Sequence, residues 1–234
     1  MTDALQKSSH VLVTIPPQKS GGDVVLKNFE RVLVEGSHLK WVGYLSTTGV
    51  YGNRNGDWVD ERSEVRPEWA HQKRRAAVES QWLALHREHG IPVHIFRLAG
   101  IYGPGRNLLQ RVRQGAVRRI DCPGLVFNRV HVDDVVQVLT ASMADPHPGT
   151  IYNVSDDRPA SPLEAVEFAC RLLQVPAPPL VSLDDAGLSE MARSFYLTHK
   201  RVRNSKIKEE LGVTLRYPDY QSGLRSLLEE FPEE

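Results

Sequence analysis

Apolar residues follow two rhythms along this chain: short unbroken runs, and longer stretches in which they recur every three or four positions. HVLVTI (10–15) is a run of β-branched and apolar residues closed by Pro16 and Pro17, the pattern of a buried strand. DVVLKNFERVLVE (23–35) sets Val24, Val25, Phe29, Val32 and Leu33 on one helical face, with Ser20 or Asp23 to cap it and Gly36 to end it. KWVGYLS (40–46) predicts a second strand, and the polar stretch after it has no helical period. Residues 68–89 predict a long helix carrying Ala76, Ala77, Trp82, Leu83 and Leu85, stopped by Gly90 and Pro92. VHIFRLAG (93–100) predicts a third strand, and NLLQRVRQGAVRR opens another helix. Helices are expected at 132–144 and 162–174, on either side of the strand TIYNV (150–154). Ser161, Pro162 and Glu164 read as a capping box with proline in the first turn. Asn204 is expected to cap a short helix ended by Gly212, and 218–230 to form a last helix.

Strands alternating with helices imply an α/β chain: a parallel sheet with helices on both faces. The alternation is lost after Val175, which suggests a main body over 1–175 and a small C-terminal lobe over 176–234 within one structural unit. A chain of 234 residues can bury a sizeable core unaided. Lys plus Arg is 29 and Asp plus Glu is 29, so there is no global basic excess for nucleic acid or an anionic membrane. No stretch approaches the roughly 18 apolar residues of a membrane span, and the N-terminus lacks a signal-peptide run. Cys122 and Cys170 are too few for a disulfide framework and read as reduced thiols. A soluble, cytoplasmic protein is the expectation.

Chemistry is expected at strand ends. YLSTTGVYG (44–52) puts Ser46, Thr47 and Thr48 at the carboxyl edge of the sheet, where ligands of open α/β sheets bind. The bland alternative is a turn that favours Ser, Thr and Gly. TGVYGNRNG (48–56) nearly matches a dinucleotide glycine fingerprint, but Asn55 stands where glycine is needed and no helix follows, so it is set aside. In RLAGIYGPGR (97–106), Arg97, Tyr102 and Arg106 suit an anionic or hydroxylated ligand, or are a turn with solvated arginines. In NRVHVDDVV (128–136), His131 behind Arg129 reads as a buried, satisfied histidine. His86 and His89 lack further ligands, so no metal is expected.

In this order STTGVYG, DWVDERSEVRP, a long helix ending AAVE, FRLAGIYGPGR, RVHVDDV and IYNVSDD resemble the extended short-chain dehydrogenase/reductase superfamily, and within it the NAD-dependent epimerase/dehydratase-like group. The tail KRVRNSKIKEELGVTLRYPDYQSGL is similar too, so the resemblance runs from about residue 10 to 228. It implies a partial doubly wound, Rossmann-like sheet, NAD or NADP as cofactor, and redox or epimerisation chemistry on a small hydroxylated or nucleotide-sugar substrate. It puts the catalytic hydroxyl on Thr47. Counted back from Glu79, the tyrosine and lysine of the long helix fall on His71 and Arg75, or in another register on Trp69 and Lys73. A histidine at 71 would serve as acid/base near neutral pH. Pro16, Pro17, Ser46, Ala99, Gly100 and Ile101 would line the nicotinamide side, and Tyr102, Arg106 and Arg129 the substrate.

The YxxxK at Tyr196–Lys200 follows the last parallel strand and is treated as chance. The resemblance also implies a homodimer through the helices at 23–35 and 68–89, with Val24, Phe29, Ala77 and Leu85 as apolar surface. HVLVTIPP resembles the family's fourth strand, and only nine residues precede it. The glycine loop and the adenosine half of the cofactor site are therefore expected to be absent, as in a truncated gene model, a different start or a fragment. The competing expectation is a non-catalytic binding or regulatory protein on the same scaffold.

Overall fold

A computed structural model describes residues 2–36 and 38–229; Glu230, expected in the last helix, lies outside them. The chain opens with α1 (Thr2–Lys7), β1 (His10–Val13), α2 (Val24–Glu35) and β2 (Trp41–Thr47), then a 3-10 turn (Thr48–Tyr51) and β3 (Trp58–Val59). Next come α3 (Ala70–His89), β4 (Val93–Leu98), β5 (Gly100–Tyr102), α4 (Leu108–Arg113), β6 (Arg119–Ile120) and β7 (Arg129–His131). The rest comprises α5 (Val132–Ala144), β8 (Ile151–Val154), α6 (Pro162–Leu172), β9 (Leu180–Val181), α7 (Glu190–Tyr196), β10 (Arg201–Val202), α8 (Ser205–Glu209) and α9 (Tyr220–Glu229).

The body is a parallel sheet in the order β1-β2-β4-β8. Val13 pairs with Tyr44, Tyr44 with Ile95, and Ile95 with Ile151. Val42, Tyr44, Val93 and Ile95 close one core with Leu26 and Leu33 of α2 and Val78 and Trp82 of α3. Trp41, Phe96, Leu98, Tyr152 and Val154 close the other with Val135 and Val138 of α5 and Ile207 of α8. Both faces are covered, which is why these strands read as unbroken apolar runs rather than as alternations. Gly43 makes room on the second face. A Cβ there would lie 2.1 Å from the Trp41 ring. The indole lies stacked on His94 and donates its N–H to Ser142 Oγ at 3.0 Å.

Caps set several boundaries. Asp23 Oδ1 accepts from the amides of Val25 (2.7 Å) and Leu26 (3.0 Å), so Asp23 rather than Ser20 starts α2. Gly90, at φ 70°, ends α3 with its N–H on His86 O. Ser161 Oγ accepts from Leu163 and Glu164 at the head of α6. The helix expected after Asn107 stops at Arg113, because Gly115 at φ 63° breaks it. Asn204 does not cap α8 with its side chain. Its amide donates instead to Ser155 O (2.8 Å) and Asp157 Oδ1 (2.7 Å), tying the chain to the end of β8.

A satellite core joins α4, α6 and α9 through Leu109, Ala165, Phe168, Tyr220 and Leu224. Segments on both sides of residue 175 build this lobe, and β6 pairs with β9 within it. Beyond it β10 returns to pair with β3, and α8 packs on the sheet through Ile207. Residues 176–229 are thus shared between lobe and body.

Candidate functional site

A cavity of about 1090 Å³ opens at the carboxyl ends of β1, β2 and β4. Thr14 and Pro16 line it after β1, Ser46 to Gly49 after β2, and Leu98 to Tyr102 after β4. Gln72 and Arg75 of α3 form one flank, and Arg106, Arg111, Arg118, Phe127, Asn128 and Arg129 the opposite one. The chain then returns over the opening, bringing Phe195 and Tyr196 of α7, then Thr198 and Lys200. Among the described residues six lining side chains are cationic, at positions 75, 106, 111, 118, 129 and 200, and none is Asp or Glu. In a chain of zero net charge this is a strong local bias.

The walls are held by a buried network. Ser46 Oγ donates to Glu79 Oε2 at 2.7 Å. Arg97, buried, donates from Nε to both Glu79 oxygens (3.1 and 3.3 Å) and pairs with Oε1 through Nη2. Its Nη1 donates to Tyr51 Oη at 2.9 Å, and Tyr51 donates to Asn153 Oδ1 at 2.7 Å. Burial pushes the Tyr51 phenol up to about 12, against the opposing pull of Arg97. Arg97 therefore serves the scaffold, not a ligand, contrary to the sequence-based expectation: its side chain points inward from β4 to meet α3.

Thr47 Oγ1 accepts from Gly49 N at 3.1 Å, which leaves its proton for a ligand. Arg75 reaches the wall while its Nη1 donates to Tyr44 Oη (3.0 Å) and Leu45 O (3.1 Å). His71 is not on the wall. It sits half-buried against Phe195, ring centroids 6.3 Å apart, and burial followed by Arg74 lowers its pKa. Helical phase sets the margin: Gln72, Arg75 and the buried Glu79 span about 60° of the helix, and His71 lies just past the edge of that arc, about 40° beyond Arg75 and about 100° from Gln72. In the other register, Trp69 stands at the N-cap of α3 and Lys73 is exposed.

Pro16, Ser46, Ala99, Gly100 and Ile101 meet at the sheet edge; Pro17 is not among the lining residues. Tyr102 lines the cavity but donates its hydroxyl to Asp219 O at 3.4 Å, and burial raises its pKa far above the usual range. Arg106 is exposed on the outer rim. Arg129 donates to Phe127 O (3.2 Å) and Ala160 O (3.1 Å), with Tyr220 under its guanidinium at 5.4 Å. His131 is buried, accepts from Asp133 N at 3.2 Å and packs on Tyr102 and Tyr217.

Gln72, Arg111 and Arg118 came from no motif, and Asn128 stood in NRVHVDDVV with no role given to it. Tyr196 and Lys200, set aside because they follow the sheet in sequence, stand on the cavity wall because α7 folds back across the opening. The near-fingerprint at 48–56 forms a 3-10 turn, and its Gly52 and Gly56 take φ 66° and 88° with no helix before residue 70.

Residues 31–155 match the NAD dependent epimerase/dehydratase family. The chain belongs to that family. It is 30% identical to Protein YeeZ of Escherichia coli K12 over 223 residues, 93% of this chain and 74% of that protein. A conserved protein of unknown function from Silicibacter pomeroyi superposes with a TM-score of 0.91 at 48% identity, covering 97% of this chain and 79% of its own. DesIV, a dTDP-glucose 4,6-dehydratase from Streptomyces venezuelae solved with NAD and TYD, shares the fold at a TM-score of 0.77 and 17% identity, covering 98% and 76%.

The described residues fit such a cofactor only in part. The sheet edge from Pro16 to Ile101 suits a flat ring. The pyrophosphate, however, needs free amides at a helix N-terminus. At α2 those amides are taken by the buried carboxylate of Asp23, which would also repel phosphate. Among the described residues no helix is long and apolar enough to cross a membrane.

Proposed function

We propose that this chain binds a nucleotide-sugar in the cavity at the sheet's carboxyl edge, for NAD(P)-linked redox or epimerisation chemistry in the cytoplasm. The observation that carries the proposal is the charge of the wall, six cations and no carboxylate. Arginine is the side chain best shaped for phosphate, and Arg106, Arg111, Arg118 and Arg129 cluster on the flank away from β2. A diphosphate there directs the sugar toward Thr47, whose hydroxyl donates to a sugar oxygen. The free thiols of Cys122 and Cys170 accord with a reducing compartment.

Titration of the chain with UDP and dTDP, followed by calorimetry, tests the proposal. Sub-millimolar binding that weakens steeply with salt is expected; no binding of either at 5 mM, or binding indifferent to salt, refutes it. Thr47→Val should weaken the sugar nucleotide while leaving the free diphosphate unchanged. A second function, binding without turnover, is favoured by the position of His71 off the wall. It predicts sugar-nucleotide affinity with no product under any nicotinamide cofactor.

A further inference from the structure

The six cations of the wall are not equivalent. Arg106, Arg111 and Arg118 are exposed and hydrated. Arg75 is bonded to Tyr44 and Leu45, and Arg129 to Phe127 and Ala160. Lys200 differs from all of these. It is 6% exposed, yet its ammonium has no hydrogen bond and no ion pair among the described residues. Only its carbonyl is engaged, accepting from Asn128 Nδ2 at 3.0 Å. Glu68 acts on the ammonium from a distance, and Arg54 opposes it.

A buried cation without a partner is costly, and the cost is offset when an anion enters beside it. The position of Lys200 says which part of a ligand that anion belongs to. Phe195, five residues before it, touches His71 in the first turn of α3. That turn also presents Gln72, and Arg75 one turn on, to the cavity beside Thr47 and Thr48. The Lys200 carbonyl is tied to Asn128 of the arginine flank, while its ammonium feels Glu68 just before α3, so the side chain reaches from that flank toward the reacting end. The diphosphate is already met by the arginines of the flank, which leaves Lys200 for a separate anionic group on the sugar, and a sugar carboxylate supplies one.

We propose that Lys200 is a specificity residue that pairs with a carboxylate on the sugar, so that the substrate class is a nucleotide-linked sugar acid. This rests on the nucleotide-sugar function proposed above, and the two fail separately. The test is calorimetric titration of the full chain with UDP, UDP-glucose and UDP-glucuronic acid, and with free glucuronate and free glucose. Lys200→Met and Lys200→Arg are titrated alongside, with circular dichroism to confirm their folding. UDP-glucuronic acid is expected to bind about tenfold more tightly than UDP-glucose. Lys200→Met should abolish that preference without changing UDP affinity, and Lys200→Arg should keep most of it. Equal binding of the two sugar nucleotides, or a preference that survives Lys200→Met, overturns the role of Lys200 while leaving the nucleotide site standing. If no uridine ligand binds, the nucleotide function falls. The free sugars then decide: glucuronate favoured over glucose only while residue 200 is cationic supports the pairing, and no discrimination removes it.

Discussion

Replacing Glu79 with glutamine keeps the shape of the residue and removes its charge, which isolates the role of the ion pair beneath the cavity. Arg97 is 2% exposed and Glu79 is 3% exposed. Two of the guanidinium nitrogens donate to Glu79 and the third to Tyr51. In Glu79→Gln the guanidinium stays charged and buried, and among the described residues no other carboxylate pairs with it. Breaking a buried pair from one side costs about 3–5 kcal/mol, because the remaining charge is uncompensated. Domains are typically stable by only about 5–15 kcal/mol, so the variant should lose at least about a fifth of its stability. With a urea slope of about 2–3 kcal/mol/M the midpoint should fall by about 1–2 M. Arg97→Met should cost a similar amount. The double variant Glu79→Gln with Arg97→Met leaves no orphan charge and should be more stable than the two single losses added together. Urea unfolding followed by far-ultraviolet circular dichroism gives all three values. A loss below about 1 kcal/mol for Glu79→Gln, or singles that simply add in the double variant, would refute the inference that this pair is desolvated and mutually dependent.

Other consequences can be measured on the same protein. Burial lowers the Lys200 pKa from 10.5 to about 8. A lysine depressed in the folded state binds fewer protons there than when unfolded, so its cost is fully present below pH 8 and is relieved as pH rises from 8 to 10.5. Without ligand, Lys200→Met should therefore stabilise the chain by about 1–3 kcal/mol at pH 7, with the gain fading by pH 10.5; a variant less stable than wild type at pH 7 contradicts this. NADH and NADPH should bind the chain more weakly than about 100 μM, since Asp23 occupies the amides at the head of α2. A dissociation constant of 10 μM or tighter by calorimetry would mean that the pyrophosphate site lies elsewhere. At Gly223 a Cβ would lie 2.0 Å from Tyr102 Oη. Gly223→Ala should thus cost about 1–3 kcal/mol in thermal unfolding, and a neutral result would show that α9 moves freely over the cavity floor.

The body of the fold was legible because it is built of long, locally patterned pieces. α5 and α6 carry their own periodicity, α3 is marked by its length and its stop at Gly90, and β2 and β4 are apolar on both faces. The two-residue pairs β3–β10 and β6–β9 were not legible, since two residues carry no period and their partners lie far away in sequence. The same division governs the site. Ser46, Thr47 and the turn from Ala99 to Tyr102 could be found because strand ends of a parallel sheet face the ligand. Arg111 and Arg118 could not, because they stand on a short helix and before a two-residue strand with no ligand signal of their own, and Lys200 could not, because it reaches that edge only as α7 folds back. His71 and Gln72 show how small the margin is: one residue of helical phase decides which side chain meets the cavity.

The one-signed wall also bears on how the protein behaves in a test tube. With no carboxylate among the described lining residues, its cations repel one another whenever only water fills the space, and small anions from solution are drawn among them. Phosphate or sulfate in a purification buffer is then an uncounted ligand. At ten times its dissociation constant such an ion raises apparent stability by about 1.4 kcal/mol. A melting temperature measured in phosphate and one measured in Tris chloride would then describe two different liganded states of the same chain.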